Sequence, residues 1–395
     1  MHIGYLCDEY PPGPHGGIGS QTQTLARAMA ARGHQVTVAG VYRVPSLVED
    51  HDRGVRVIRV PHSSVPRTGF LVNGWRLRRV LRRCHDAHAF DVIEGPENAF
   101  AMLPRRFPCA TIIKMNGGHH FFAVTLGRRP RPWRAWLERR SFARADYLAA
   151  VSRYVAEVTG RLIASAARPV ETLPNPIDTR LFRPGLARRV PGRIVFVGTL
   201  TEKKGVRQLV QALAAIRRRV PEAHLQLIGR DTRDPATGRG YAETLRALVA
   251  AGDAGAVEFL GHADRDALPA MIGAAAVAVF PSHMESQGIV IAEAMAVGTP
   301  VVTSRTGPGP EVVGDTTAGL LCDPHDPASI AEQAIAVLTD PGLADRLGRA
   351  GRERAVQAYS ADLLVGRVEA FYERCRRDWA ARAAAGRLAA TESRS

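Results

Sequence analysis

Length argues for two domains, since 395 residues exceed what one core ordinarily serves. A balance of 46% hydrophobic and 23% charged residues is that of a soluble globular chain. The 53 basic residues outnumber 38 acidic ones to give +15, while five scattered cysteines (Cys7, Cys84, Cys109, Cys322, Cys375) exclude a disulfide framework or a zinc site and read as buried thiols. No run approaches the roughly 20 apolar residues that cross a bilayer. No charged or apolar leader precedes the opening MHIGYLCDEY, so a cytoplasmic, unprocessed protein is expected.

In chain order, short apolar runs predict strands at 2–6, 35–39, 55–59, 91–94, 110–114, 147–151 and 169–173. Helix-period segments at 20–31, 74–85 and 133–144 lie between several of them. Gly33 stands where the first helix needs a left-handed cap. Strands alternating with helices of this length imply a parallel sheet covered on both faces. Around Asn175-Pro176-Ile177-Asp178 and Phe182-Arg183-Pro184-Gly185 the pattern breaks into what reads as a linker. The alternation restarts with strands at 193–197, 224–228, 257–260, 277–280, 300–303 and 320–322 and helices at 206–219, 241–251, 289–297 and 328–338. The fold class is therefore α/β, with two Rossmann-like doubly wound domains. Helix dominates after Pro341, and the Ala-, Arg- and Ser-rich stretch from 380 is expected to fray. Ligands of such sheets bind at the strand carboxyl ends, so a cleft between the domains is the expected site.

Basic residues concentrate at 67–83 (Arg76, Arg78, Arg79, Arg82, Arg83) and at 128–144, where Trp133 and Trp136 join them. Each cluster reads either as a solvated helix face or as a surface for an anionic membrane or a phosphorylated acceptor. Neither sits in a nucleic-acid-binding pattern, so no nucleic-acid partner is expected.

The most informative segment is PSHMESQGIVIAEAMAVGTP, residues 281–300. A buried strand runs into a polar loop carrying Glu285, Ser286 and Gln287, and the loop opens an apolar helix that Gly298 ends. The amides of Gly288, Ile289 and Val290 would start that helix without intrahelical acceptors, forming an anion site suited to a diphosphate. Glu285 in the loop and Glu293 in the helix flank it, and carboxylates suit hydroxyl-rich ligands.

This run, E-S-x-G-I-V-x-A-E-A-M-A-x-G-T-P-V-V, resembles the E-x7-E signature of family 4 retaining glycosyltransferases. Gly16-Gly17-Ile18-Gly19, Asn175-Pro176-Ile177-Asp178 with Phe182-Arg183-Pro184, Val197-Gly198 with Lys204-Gly205, Leu227-Ile228-Gly229, Phe259-Leu260-Gly261 and Thr317-Ala318-Gly319-Leu320-Leu321 continue the resemblance in family order over about residues 1–360. The resemblance implies the two-Rossmann GT-B fold. It places an acceptor domain at 1–183, a nucleotide-sugar donor domain at 184–360, a helix crossing back to the first domain at 361–380, and a disordered tail at 381–395. It gives Glu285 the donor sugar, Glu293 the nucleotide ribose and Lys204 the leaving diphosphate. Gly229, Arg230 and His262 fall where the base should sit. A nucleotide-diphosphate sugar is the implied co-substrate, UDP the default nucleotide and a hydroxyl compound the acceptor, with no cofactor or metal required.

Two departures stand out. Thr199 occupies a position where relatives often carry a diphosphate-binding arginine, leaving Lys203 or Arg230 to compensate, and Gln287 stands where an aromatic is common. In the first domain Gly16, Gly17 and Gly19 read either as a structural turn or as a phosphate or acceptor contact. Asn116 stands where the family places a histidine beside Gly117, leaving His119 or His120 for that role near the donor sugar. Competing readings are a glycosyl phosphorylase or nucleotide-sugar epimerase on the same fold, and a catalytically inactive basic protein that binds a membrane or a partner. The expected cytoplasmic location extends to a peripheral one at the inner face of the membrane. A dinucleotide dehydrogenase is disfavoured because no G-x-G-x-x-G follows the first strand.

Overall fold

A computed structural model describes residues 1–13, 16–65, 68–103, 107–166, 168–233, 238–249 and 251–392. Arg67 of the first basic cluster, Ala250 of the helix expected at 241–251, and residues 393–395 lie outside the described residues. The chain divides into two compact units, Met1–Pro176 with Leu364–Ser395, and Ile177–Leu363.

The first unit runs β1 (His2–Leu6), α1 (Gly17–Ala31), β2 (Gln35–Tyr42), β3 (Val48–Asp52), β4 (Val55–Pro61), α2 (Gly69–Ala87), β5 (Val92–Gly95), β6 (Ala110–Met115), α3 (His119–Thr125), α4 (Pro132–Phe142), β7 (Tyr147–Ala150), α5 (Arg153–Leu162) and β8 (Val170–Thr172). Its eight strands form one sheet in the order β3-β4-β2-β1-β5-β6-β7-β8. All pairings are parallel except β3 with β4. The sequence does not predict β3, whose residues VEDHD carry no apolar alternation. It forms because Arg53-Gly54 make a two-residue hairpin turn, after which Arg56 and Arg59 reach across to Glu49 and Asp50.

The second unit contains β9 (Arg193–Val197), α6 (Val206–Arg219), β10 (His224–Ile228), α7 (Tyr241–Arg246), β11 (Val257–Gly261), α8 (Leu268–Gly273), β12 (Val277–Phe280), α9 (Ile289–Val297), β13 (Val301–Ser304), α10 (Gly309–Val313), β14 (Leu320–Cys322), α11 (Pro327–Thr339) and α12 (Pro341–Tyr359). Its sheet is parallel throughout, in the order β11-β10-β9-β12-β13-β14. Asp326 and Asp340 cap α11 and α12 by accepting from the amides of Ala328 and Leu343, each at 2.9 Å, with proline as the first helical residue of both.

A last helix, α13 (Ala361–Glu392), sends Val365, Val368, Phe371 and Tyr372 into the core of the first unit. The Tyr372 hydroxyl donates to buried Glu94 at 2.7 Å. Where the sequence places a disordered tail at 381–395, α13 continues to Glu392, since Ala and Arg in this stretch are strong helix formers. The boundary also moves. The sequence places it between 183 and 184, but the division falls between Pro176 and Ile177. Ile177 and Phe182 are fully buried in the second core, and Arg352 donates to the carbonyls of Thr179 and Phe182 at 3.2 and 2.9 Å. All five cysteines are buried and unpaired.

If residues 177–182 are core, Phe182→Ala should lower stability in urea by about 3–5 kcal/mol. A loss below about 0.5 kcal/mol would return the segment to the status of a linker.

Candidate functional site

In the second sheet, chain order reverses between β9 and β12, and a parallel sheet leaves a crevice at the carboxyl ends of such a strand pair. Two loops occupy those ends. After β9 come Gly198, exposed Thr199 and a single helical turn, Glu202–Lys204. After β12, residues 281–288 lead into α9. The loops are joined by backbone hydrogen bonds from His283 and Met284 to the Lys203 carbonyl, at 3.0 and 3.2 Å. Gly205 passes so close beneath that an added Cβ would lie 1.8 Å from the Pro281 carbonyl oxygen. Only glycine fits, and its left-handed backbone (φ 66°) turns the chain into α6.

That junction brings the Lys204 ammonium onto the Glu285 carboxylate, with both side chains about four-fifths buried (20% and 18% exposed). Gln287 is buried and Ser286 half-buried between Glu285 and Gly288. Gly288, left-handed at φ 77°, precedes α9. The amides of Ile289 and Val290 open the helix with no preceding turn to accept from them, and so present partial positive charge. Glu293 lies one turn further along and is buried. Burial pushes its carboxyl up to about 7, against the pull of Arg265. Among the described residues its contact is with Arg265 at 3.5 Å, so most of its acceptor capacity stays open. The sequence carries no local signal for Arg265.

Gly229 and Arg230 follow β10, and His262 follows β11, on the β9 side of the crevice. The Gly229 amide donates to Gly261 at 2.7 Å, and Leu200 donates to the Arg230 carbonyl at 2.9 Å. The Arg230 and Lys203 residues are exposed, as is Thr199. The second unit thus gathers the predicted donor-side residues along neighbouring strand ends.

The first unit holds the remaining candidates. Its sheet reverses between β1 and β5, and the glycine loop lies at the start of α1. There the amides of Gly16 and Gly19 are taken by the Glu9 carboxylate, at 3.1 and 2.8 Å, with Gly17 between them. In this structure the loop holds a carboxylate of its own chain. The Asn116 amide donates to buried Glu97 at 2.6 Å, and its side chain to the Lys114 carbonyl at 3.0 Å. Burial pushes Glu97 up to about 7, and the Glu138 charge adds to this.

His119 and His120 part company. His120 is buried, with its amide donating to Glu138 at 2.9 Å and its Nδ1 against the same carboxylate, whereas His119 accepts from the Arg131 amide at 2.8 Å. A cavity of about 910 Å³ is lined by His119 and Gly117 together with Asp8, Glu97, Phe122 and Trp133. Glu9, Glu97 and Glu138 escape a sequence search because their partners lie between 7 and 19 residues away across different elements.

Residues 15–181 match the family model described as Glycosyltransferase Family 4, and residues 180–354 the model described as Glycosyl transferases group 1. The chain is 31% identical over 386 residues to glycogen synthase of Mycobacterium tuberculosis, covering 90% of each. It is 32% identical over 391 residues to the GDP-mannose-dependent alpha-(1-6)-phosphatidylinositol monomannoside mannosyltransferase of the same organism, covering 93% of this chain and 96% of that one. Sucrose-phosphate synthase from Thermosynechococcus elongatus shares the fold, with a TM-score of 0.77 at 24% identity over 95% of this chain and 98% of its own. The chain belongs to the family 4 glycosyltransferases, retaining enzymes that transfer a hexosyl group from a nucleotide sugar on a GT-B fold.

Glu293 allows a pH test of this site. Its carboxyl ordinarily titrates near 4.5 and does so at about 7 when folded, so between these values the folded chain holds a proton that the unfolded chain has lost. Stability from this group is therefore present at low pH and declines as pH rises through that window, by up to about 3 kcal/mol. Glu293→Gln should gain stability relative to the parent between about pH 5 and about pH 8 in urea titrations. A pH-independent difference would refute the burial argument.

Proposed function

We propose that this chain transfers a hexosyl unit from a nucleotide-diphosphate sugar to a hydroxyl acceptor, with donor chemistry at the β9/β12 crevice. The observation that supports it most is the meeting of Lys204, Glu285 and the start of α9. Breaking a glycosyl–phosphate bond leaves an oxocarbenium-like sugar and a departing dianion, so positive charge at the phosphates is the main requirement. Lys204 and the amides of Gly288, Ile289 and Val290 meet it without a cofactor. In the ligand-free chain Lys204 neutralises Glu285, and an arriving diphosphate would share that ammonium. Glu285 is then left to accept from donor-sugar hydroxyls, and Glu293 from the ribose.

For retention, the acceptor oxygen bonds to the anomeric carbon on the face that the diphosphate leaves. The acceptor proton passes to the departing phosphate oxygen. Glu285 acts here as a hydrogen-bond acceptor and not as a covalent nucleophile. Ser286 and Gln287 belong to the donor loop, and Gly229, Arg230 and His262 to the base side. Exposed Arg230 and Lys203 supply the charge missing at Thr199. On the first unit, His119 is the histidine that serves the sugar, beside Asn116 and Gly117, since His120 is held by Glu138.

UDP-sugar is the proposed donor, and GDP-mannose competes for that place because a relative's name carries it. The acceptor belongs to polysaccharide, glycolipid or secondary-metabolite synthesis in the cytoplasm.

A thermal-shift panel of UDP, GDP, ADP and their sugars decides the base. The true donor should stabilise by about 2.7 kcal/mol at a hundredfold excess over its Kd, and Glu293→Ala should abolish that shift. If no nucleotide moves the melt, the donor-site assignment fails. With the donor known, Lys204→Ala should cut kcat by about 10²–10³ while a chelator leaves the parent rate unchanged. A Lys204→Ala enzyme of parental kcat would remove Lys204 from the chemistry.

A further inference from the structure

We infer that helices α2, α3 and α4 form a docking surface for an anionic lipid bilayer, and that the first-unit cavity opens onto that surface, so that the acceptor is a lipid with a hydroxylated headgroup. The acceptor half rests on the transferase reading above, whereas the docking half stands without it.

Eight of the fourteen exposed large apolar side chains among the described residues fall between Val65 and Trp136. On α2, Leu71, Trp75, Arg78 and Arg82 follow one another at spacings of three and four, which places them on one helix face, and all four are exposed. Trp75 is 59% exposed, with the Arg79 guanidinium over its ring at 5.6 Å. The opposite face of α2 buries Gly74, Val80, Leu81 and Cys84. Such a helix spends its buried face on its own unit and leaves an aromatic, basic face that none of the described residues covers.

The neighbouring helices extend the same surface. Phe70 of α2 meets Trp133 of α4 edge-on at 4.5 Å, and Trp133 stacks on Trp136 at 5.1 Å. Both tryptophans are 47% exposed. Phe122, Val124 and Leu126 stand out from α3 and the turn after it, ahead of exposed Arg128 and Arg129. Trp136 also joins Arg139, Arg140 and Arg144 around a cavity of about 460 Å³. A phosphate headgroup there would meet exposed Arg139 and the remaining N–H groups of Arg140 and Arg144, which are braced on the Ala101 carbonyl.

Charge and polarity together select the partner. Residues 68–83 hold five arginines and no acid, while residues 119–144 hold seven arginines against one acid, Glu138, which is buried on His120. An anionic bilayer rewards both the arginines and the exposed indoles, since tryptophan settles at the headgroup level. A nucleic acid would use the arginines but would leave Leu71, Val124 and Leu126 in water.

Trp133 and Phe122 connect this surface to the first-unit cavity that His119 lines, because both line the 910 Å³ cavity and both reach the outside. A bilayer held against them lies at the mouth of the cavity. A headgroup could enter from the lipid side while its acyl chains stay in the membrane.

The test uses the full chain with vesicles of phosphatidylcholine, with or without about 30% phosphatidylglycerol, in co-sedimentation at about 0.1 M salt. Binding should be about tenfold tighter to the anionic vesicles and should weaken with added salt. Trp75→Ser combined with Arg78→Ser should lose about tenfold while keeping the parental melting temperature and nucleotide-induced shift. Equal binding to both vesicles, no loss in the double variant, or displacement by duplex DNA would each overturn the docking surface. If the nucleotide shift persists in those cases, the transferase reading survives them. For the cavity mouth, single-tryptophan variants that keep Trp133 or Trp379 are mixed with vesicles of brominated lipid. Trp133 should be quenched and Trp379, which packs against the first-unit core, should not. An unquenched Trp133 on bound protein would rule out lipid-side entry.

Discussion

The close approach of Gly205 to the Pro281 carbonyl governs the chemistry of the second unit. Strands β9 and β12 are neighbours whose following segments wind to opposite sides of the sheet, so their loops would otherwise part. Absence of a side chain at 205 lets the loops touch, and the bonds from His283 and Met284 to the Lys203 carbonyl hold them in register. Register then dictates that Lys204 faces Glu285 and that α9 begins beside them. A Cβ at this position would have to displace backbone, which a packed parallel sheet resists.

The carboxylates of the chain behave differently according to what surrounds them. Glu293 and Glu97 are both pushed up to about 7 by burial, in different units. Glu94 is raised too, but Lys114 and the Tyr372 hydroxyl oppose the shift, so it reads as a structural tie between α13 and the first sheet. Glu202, whose side chain is about half exposed, goes the other way, to about 2: partial burial favours the proton, yet Tyr241, Arg207 and Gln208 all donate to the carboxylate and prevail. Glu9 sits at the start of α1, where a helix start that can hold phosphate holds an acid from the same chain.

Much of the second unit was legible. Strands 193–197, 224–228, 277–280 and 320–322 and helices 206–219 and 289–297 have the predicted limits, because each is an apolar run closed by local turn chemistry. The predicted strand at 300–303 lies at Val301–Ser304. Less was legible where packing overrides pattern. VEDHD became β3 through cross-strand arginines, Ile177 and Phe182 joined a core despite flanking prolines, and the alanine-rich end continued a helix. Glu285, Gly288 and Glu293 could be found from sequence because they share one segment, and Lys204 because its glycine neighbour completes a second.

The sequence by itself determined the alternation of strand and helix, the two-unit count, and the pair Glu285 and Glu293 on either side of a helix start, because these are properties of contiguous residues. Tertiary structure alone decided that Lys204 lies on Glu285, that Arg265 faces Glu293, that His120 is held by Glu138 while His119 lines a cavity, and that Glu9 fills the glycine loop. Those pairings join residues on different elements, and their meeting depends on strand order and close backbone approach, neither of which any single stretch of chain encodes.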